Sequence, residues 1–165
     1  DIFPANASAR FLLGLAHLEL GRPQQAAKLI EECQQLDPDF KAPYVNLAVA
    51  RLRMGLYRAA AETCDALEKR HPQVMQNQYN LGVATFALAH KEETQTSEVA
   101  GKLRQEALQA LVFARENSAK EGNDTWSEQD DALVAELEDS SRLLPNFRDA
   151  KTLPRDGWRF FGWRP

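Results

Sequence analysis

The residues best equipped for chemistry in this chain are three histidines, His17, His71 and His90, and two cysteines, Cys33 and Cys64. None has the company that chemistry needs. General acid–base work requires a partner within hydrogen-bond reach, and a nucleophile requires an adjacent base. The histidines are scattered, and no glycine-rich phosphate loop, HExxH or CxxC occurs. His17 is expected to pack between helices, and His71 and His90 are expected at helix ends, where an imidazole suits the dipole. The cysteines have neither CxxC spacing nor a neighbouring histidine pair, so they are expected to be reduced, buried and inert. The reading is therefore not an enzyme, with no cofactor and no metal. One polar pair has more telling spacing: Asn46 and Asn80 lie 34 residues apart. A side-chain amide carries a donor and an acceptor together. Two stacked amides could thus each pair both groups of a peptide unit in an extended ligand, or each could bond a neighbouring helix; both readings stand at this point.

The interval of 34 belongs to the whole chain and not to the asparagines alone. Pro4, Pro38 and Pro72 share it, as do Leu13, Leu47 and Leu81, then Gly14, Ala48 and Gly82, and Gly21, Gly55 and Ala89. Such self-similarity marks a repeat architecture. Each unit reads as two helices. In the first, Phe11, Leu12, Leu15 and Leu18 follow helical spacing, Gly21 stops the run, and Pro23 opens the next helix where its missing N–H costs nothing. The second unit repeats this plan and stops at Gly55. In the third, Leu81 to Ala107 spans 26 residues, against 13 from Leu13 to Ala26, so about 13 extra residues enter near 90–102. A longer first helix, an extra turn or a polar loop would each accommodate them.

These residues resemble the tetratricopeptide repeat family, whose pattern runs aromatic, x2, Leu-Gly, x2, Tyr, then Ala, x3, Phe and a late Pro. Leu13-Gly14, Ala26, Ile30 and Pro38 match in the first unit; Tyr44, Leu47-Ala48, Ala60, Cys64 and Pro72 match in the second; Leu81-Gly82 starts a third. Arg10 and Gln78 depart at the first aromatic, and His17, Arg51 and Thr85 depart at the tyrosine. The resemblance implies an all-α, right-handed α-solenoid of helix-turn-helix units. Its expected divisions are the end of a preceding repeat at 1–6, units at 7–40, 41–74 and 75–118, a capping helix at 125–144 and a tail at 145–165. Further repeats are expected upstream. Thr125 and Glu128 offer a capping box for the last helix, and Trp126, Leu133, Leu137 and Leu144 form its apolar stripe opposite Glu128, Asp131, Glu138 and Asp139.

In this family the first helices line a concave side on which a peptide or helix lies. The resemblance places Phe11, Leu15, Leu18, Val45, Asn46, Val49, Leu52, Tyr79, Asn80, Val83 and Phe86 toward that groove. Carboxylate-clamping relatives need lysines and an arginine where this chain has Phe11, Leu15 and Gln76, so that mode is not expected. The implied function is a non-enzymatic protein–protein interaction module with a protein or peptide partner. The alternative is a structural or regulatory segment of a larger enzyme or secretion assembly, with the tail on the solenoid or in the groove.

Composition sets outer limits. The chain has 165 residues, 44% apolar and 27% charged, enough for one cored domain. No apolar run approaches the roughly 18 residues of a membrane span. The net charge of −4 argues against nucleic acid as a partner. Residues 116–139 carry nine acids, while the last eleven residues hold three arginines with Trp158, Phe160, Phe161 and Trp163. The expected result is a strap anchored by those aromatics beside the acidic cap, docked in cis, in trans as self-association, or in the groove. No signal segment is visible. A cytoplasmic location is expected, with a periplasmic or membrane-tethered parent protein left open.

Overall fold

A computed structural model describes residues 6–91, 98–118 and 126–138. These form seven α-helices and no strand: α1 (Ala7–Glu19), α2 (Pro23–Leu36), α3 (Lys41–Arg53), α4 (Tyr57–Arg70), α5 (Met75–Lys91), α6 (Glu98–Ser118) and α7 (Glu128–Glu138). Each helix packs on its neighbour in the chain, and α3 also touches α1 and α5.

Local signals account for the boundaries. Asn6 caps α1 by accepting from the Ala9 amide at 3.0 Å. At the other end Gly21 adopts φ 68°, the Gly21 amide bonds Leu18 O, and the Arg22 amide bonds His17 O at 2.9 Å. Such a pair satisfies the last free carbonyls and requires a left-handed residue, which glycine supplies without a Cβ penalty. Gly55 repeats the device with φ 71°, and the Leu56 amide bonds Arg51 O. At the third position of this series stands Ala89, fully buried, and the helix runs on to Lys91. Consequently α5 and α6 are 17 and 21 residues long, against 13 and 14 for α1 and α2. The described extra residues therefore lengthen helices; residues 92–97 lie outside the described part.

Within each pair the closest approach is set by matched sizes. A Cβ on Gly14 would meet Ile30 Cγ1 at 2.6 Å, and one on Gly82 would meet Leu111 Cγ at 2.5 Å. In the middle pair the first-helix residue does carry a Cβ, Ala48, and the residue packed against it shrinks to Cys64. Gly82 lies 25 residues before Ala107 while Gly14 lies 12 before Ala26, yet the two crossings are alike. The third pair thus keeps the packing of the first despite its longer helices.

The last helix starts later than expected. Glu128 is its first residue, and the reciprocal cap joins Ser127 and Asp130: Asp130 Oδ2 accepts from the Ser127 amide and hydroxyl, each at 2.8 Å. A cap built on Glu128 is corrected accordingly, because an acid reaches back to its cap residue only from the third helical position. Thr125 and residues 139–144 lie outside the described part. Leu133 and Leu137 are buried as the stripe requires, with Val134 beside them, while Glu128, Asp131 and Glu138 face solvent. The tail residues Trp158, Phe160, Phe161 and Trp163 also lie outside the described residues.

Candidate protein-binding surface

The first helices α1, α3 and α5 hold every residue assigned to the groove from the sequence. Phe11, Leu18, Val45, Val49, Tyr79, Val83 and Phe86 are buried, while Leu15 and Leu52 are half-buried. Their surroundings give the reason. Phe11 and Leu18 share a cluster with Leu47 and Ala50 of α3, and Leu15 packs against it. Tyr79, Val83 and Phe86 share one with Leu133, Val134 and Leu137 of α7. An apolar position on a first helix therefore serves its own second helix and the next first helix in line. That placement leaves Leu15 and Leu52 as the members of the set with side-chain surface in solvent.

The two asparagines are likewise inside, at 0% exposure. Asn46 Nδ2 donates to Ala42 O within α3 at 2.9 Å, and Asn80 Nδ2 donates to Val45 O across to α3 at 3.3 Å. Asn77, one turn before Asn80, donates to Cys64 O at 2.9 Å and ties α5 to α4. Asn80 thus bonds a neighbouring helix, whereas Asn46 bonds a carbonyl of its own.

Residues 17–84 match the family model of the tetratricopeptide repeat. Over this stretch the chain is similar to tetratricopeptide repeats. No curated protein matches the sequence. Family departures acquire reasons from the contacts. Arg51, where the repeat usually has tyrosine, donates to Ala59 O at 3.1 Å, to Thr63 Oγ1, and to Glu31 Oε1 at 2.8 Å, so one guanidinium joins α3 to both α4 and α2. Arg53 donates to Leu18 O at 2.7 Å, the carbonyl at the end of α1 that also accepts from the Gly21 amide, and so ties α3 to α1. Thr85, the third departure, bonds Leu81 O within its own helix.

The chemistry-bearing residues of the repeats are placed for packing. His17 is half-buried with its Nδ1 unbonded among the described residues, so the ring packs without being satisfied at that atom. His71 caps α4, its Nε2 lying 3.1 Å from Asp39 O. His90 stacks edge-on against Phe86 at 4.5 Å, and burial, then the Arg104 charge, lowers its pKa. Its neutral form is thereby favoured, and the ring sits in the last turn of α5. Among the described residues no group of three or more His, Cys, Asp or Glu could hold a metal ion. No described helix is long and apolar enough to cross a membrane.

Both cysteines are free and buried. Burial first, then the Asp37 charge, pushes the Cys33 thiol up to about 11 from 9.0. Burial raises Cys64 as well, and burial followed by the bond to Asp130 raises the Tyr79 phenol. In each case the folded protein holds a proton that the unfolded chain releases sooner. Stability is therefore fully present below pH 9 and is lost as pH rises toward 11. Each titrating group removes up to about 1.4 kcal/mol per pH unit. Urea midpoints should stay level to pH 8 and then decline, with a shallower decline for Cys33→Ala. Level midpoints through pH 11 would show that these groups titrate alike in both states.

Proposed function

We propose that this chain is a non-enzymatic interaction module, a right-handed solenoid of units 7–40, 41–74 and 75–118 that binds a peptide or helix across its first helices. The proposed divisions include the end of a preceding repeat at 1–6, a capping helix at 125–144 and a tail at 145–165. Tetratricopeptide repeats mediate protein–protein interaction, and the repeat is a non-catalytic fold. The observation that carries the finer reading is the half-burial of Leu15 on α1 and Leu52 on α3, the apolar members of the groove set that keep side-chain surface in solvent. A partner helix with apolar residues one and two turns apart would cover both. The buried members, with Asn46 and Asn80, form the layer that holds these two in place.

The test separates contact from support. A partner is first captured from cells with the wild-type chain, and its binding segment is titrated against variants. Leu15→Gln with Leu52→Gln should weaken binding at least tenfold, as loss of a central apolar contact does at about 1.4 kcal/mol or more. Asn46→Ala or Asn80→Ala should lower the melting temperature yet leave affinity per folded molecule unchanged. Wild-type affinity in the leucine pair would remove this surface from the reading.

A further inference from the structure

A cavity of about 350 Å³ lies at the turn between α3 and α4, lined by Leu56, Tyr57 and Ala59 and by Leu88 of α5, with Arg58 and Glu62 as its charged members. The register explains it. Leu20, Met54 and Leu88 are spaced by 34 residues. Leu20 and Met54 are the C-cap residues of α1 and α3, because a left-handed glycine follows each. Leu88 is followed by Ala89 and stays inside α5, which runs on to Lys91. The prolonged helix thus supplies a wall beside the turn of the preceding unit. Leu56, in the turn itself, is 50% exposed. A cavity of this size is at the small end of ligand sites and suits one large side chain better than a whole small molecule. An acidic track leads away from it over the second helices. Glu62 and Asp65 lie three apart on α4 and share a face. Cys64 of α4 and Ala110 of α6 belong to one cluster, and Glu106 stands one turn before Ala110. Glu62, Asp65 and Glu106 are exposed, and among the described residues none of them is in an ion pair. Burial, then the Asp65 charge, raises the Glu106 carboxyl, so these two acids feel each other across the helices.

We infer that segment 155–164 of this chain straps back across α6 onto α4, seating the Trp158 indole in this cavity, with Arg155 against Asp65 and Glu106 and Arg159 against Glu62. The contact lies on the second helices and is distinct from the first-helix surface. Charge selects the occupant, since the last eleven residues carry three arginines and one acid, Asp156, and an arginine fork suits a carboxylate. The order along the chain fits. Because α7 packs on α6 and α6 lies beside α4, a segment returning from α7 meets Asp65 and Glu106 before Glu62 and the cavity; Arg155 likewise precedes Trp158 and Arg159. The length fits as well. Trp158 is 20 residues beyond Glu138, the end of α7. Such a segment spans up to about 65 Å, against about 20 Å for two helix spacings. Burying an aromatic side chain removes on the order of 150–250 Å² from water, which offsets the ordering of a short segment. Arg58 repels the arginines and so keeps them on the Glu62 side.

The full chain labelled with fluorotryptophan tests this, because its fluorine spectrum has three signals, from Trp126, Trp158 and Trp163. Single Trp→Phe variants assign them. Trp126 meets Tyr79 edge-on, so its signal reports whether the helices remain folded. The Trp158 signal should stand apart from its position in urea and should stay there on dilution. Leu88→Asp in the wall should return it to the urea position while the Trp126 signal holds. Glu62→Arg, an exposed change that leaves the core alone, should do the same if the first variant folds poorly. Adding Arg159→Glu to Glu62→Arg should bring the folded position back. A Trp158 signal at its urea position in the wild type, or one indifferent to both cavity substitutions, overturns the proposal. So does a signal that moves on dilution, because the strap would then come from a second copy.

Discussion

Asp130→Ala is expected to cost roughly 2–4 kcal/mol and to loosen α7 from the body of the protein. Asp130 is 3% exposed and accepts three bonds: from the Tyr79 hydroxyl at 2.6 Å, and from the amide and hydroxyl of Ser127. Alanine removes all three acceptor contacts. The Tyr79 hydroxyl would then be buried without its acceptor, and α7 would lose its cap. Tyr79 also meets Trp126 edge-on at 6.0 Å, so the same change disturbs the aromatic contact at the start of the helix. Asp130→Asn retains an acceptor and should cost less, and Tyr79→Phe, which removes one donor from an acid that keeps two, should cost about 1–2 kcal/mol. Urea denaturation measures the totals, and hydrogen exchange over residues 126–138 reports where the loss falls. An alanine variant within about 0.5 kcal/mol of wild type would mean that apolar contacts alone hold α7.

Punctuation made the helices legible. Gly21 and Gly55 stop α1 and α3 because only a left-handed residue completes that bond pattern, Pro23 opens α2, and Pro38 and Pro72 mark the 34-residue register from the other side. The same logic reads the exception: Ala89 occupies the glycine position and the helix continues. Size pairing was partly legible too. Gly14 with Ile30, and Ala48 with Cys64, could be lined up by spacing, but the complementarity between the two members shows only when the helices touch.

The candidate surface was legible as a set of helices and not as a set of exposed atoms. Periodicity says that Phe11, Leu18, Tyr79 and Phe86 are apolar on one side of a helix; it does not say whether a ligand or the next helix covers that side. In this fold both options use overlapping positions, and α3 and α7 take most of them. Asn46 and Asn80 were ambiguous for the same reason, since an amide satisfies a helix carbonyl as readily as a peptide. Two polar anchors left no repeating trace. Arg51 reads only as a departure from tyrosine, and Asp130 finds Tyr79 across 51 residues of chain. The 34-residue comparison shows at Arg51 only that a tyrosine is missing and not what the guanidinium binds, and Asp130 lies beyond the three repeat units.

The second large effect is expected at Gly82. A Cβ there would stand 2.5 Å from Leu111 Cγ, 2.9 Å from Leu111 Cδ2 and 3.2 Å from Ala107 O. The crowded atom is the branch point of a fully buried leucine and the carbonyl is backbone, so neither yields by a simple rotation. Overpacking of this kind costs about 1–3 kcal/mol. Alanine gains up to about 1 kcal/mol over glycine as a helix former, which offsets part of the loss. Gly82→Ala should therefore be destabilising by roughly 1–2 kcal/mol net. The middle pair indicates the remedy, because Ala48 is accommodated where the facing residue is Cys64. Leu111→Cys alone should also destabilise, by opening a cavity, but the two changes together should cost less than their sum. A double-mutant cycle should give a favourable coupling of about 1–3 kcal/mol. The same cycle at Gly14 and Ile30, where the approach is 2.6 Å, should give coupling of the same sign. Additive costs at both sites would refute size matching as the rule that sets helix approach within each pair, and would leave glycine there without a packing reason.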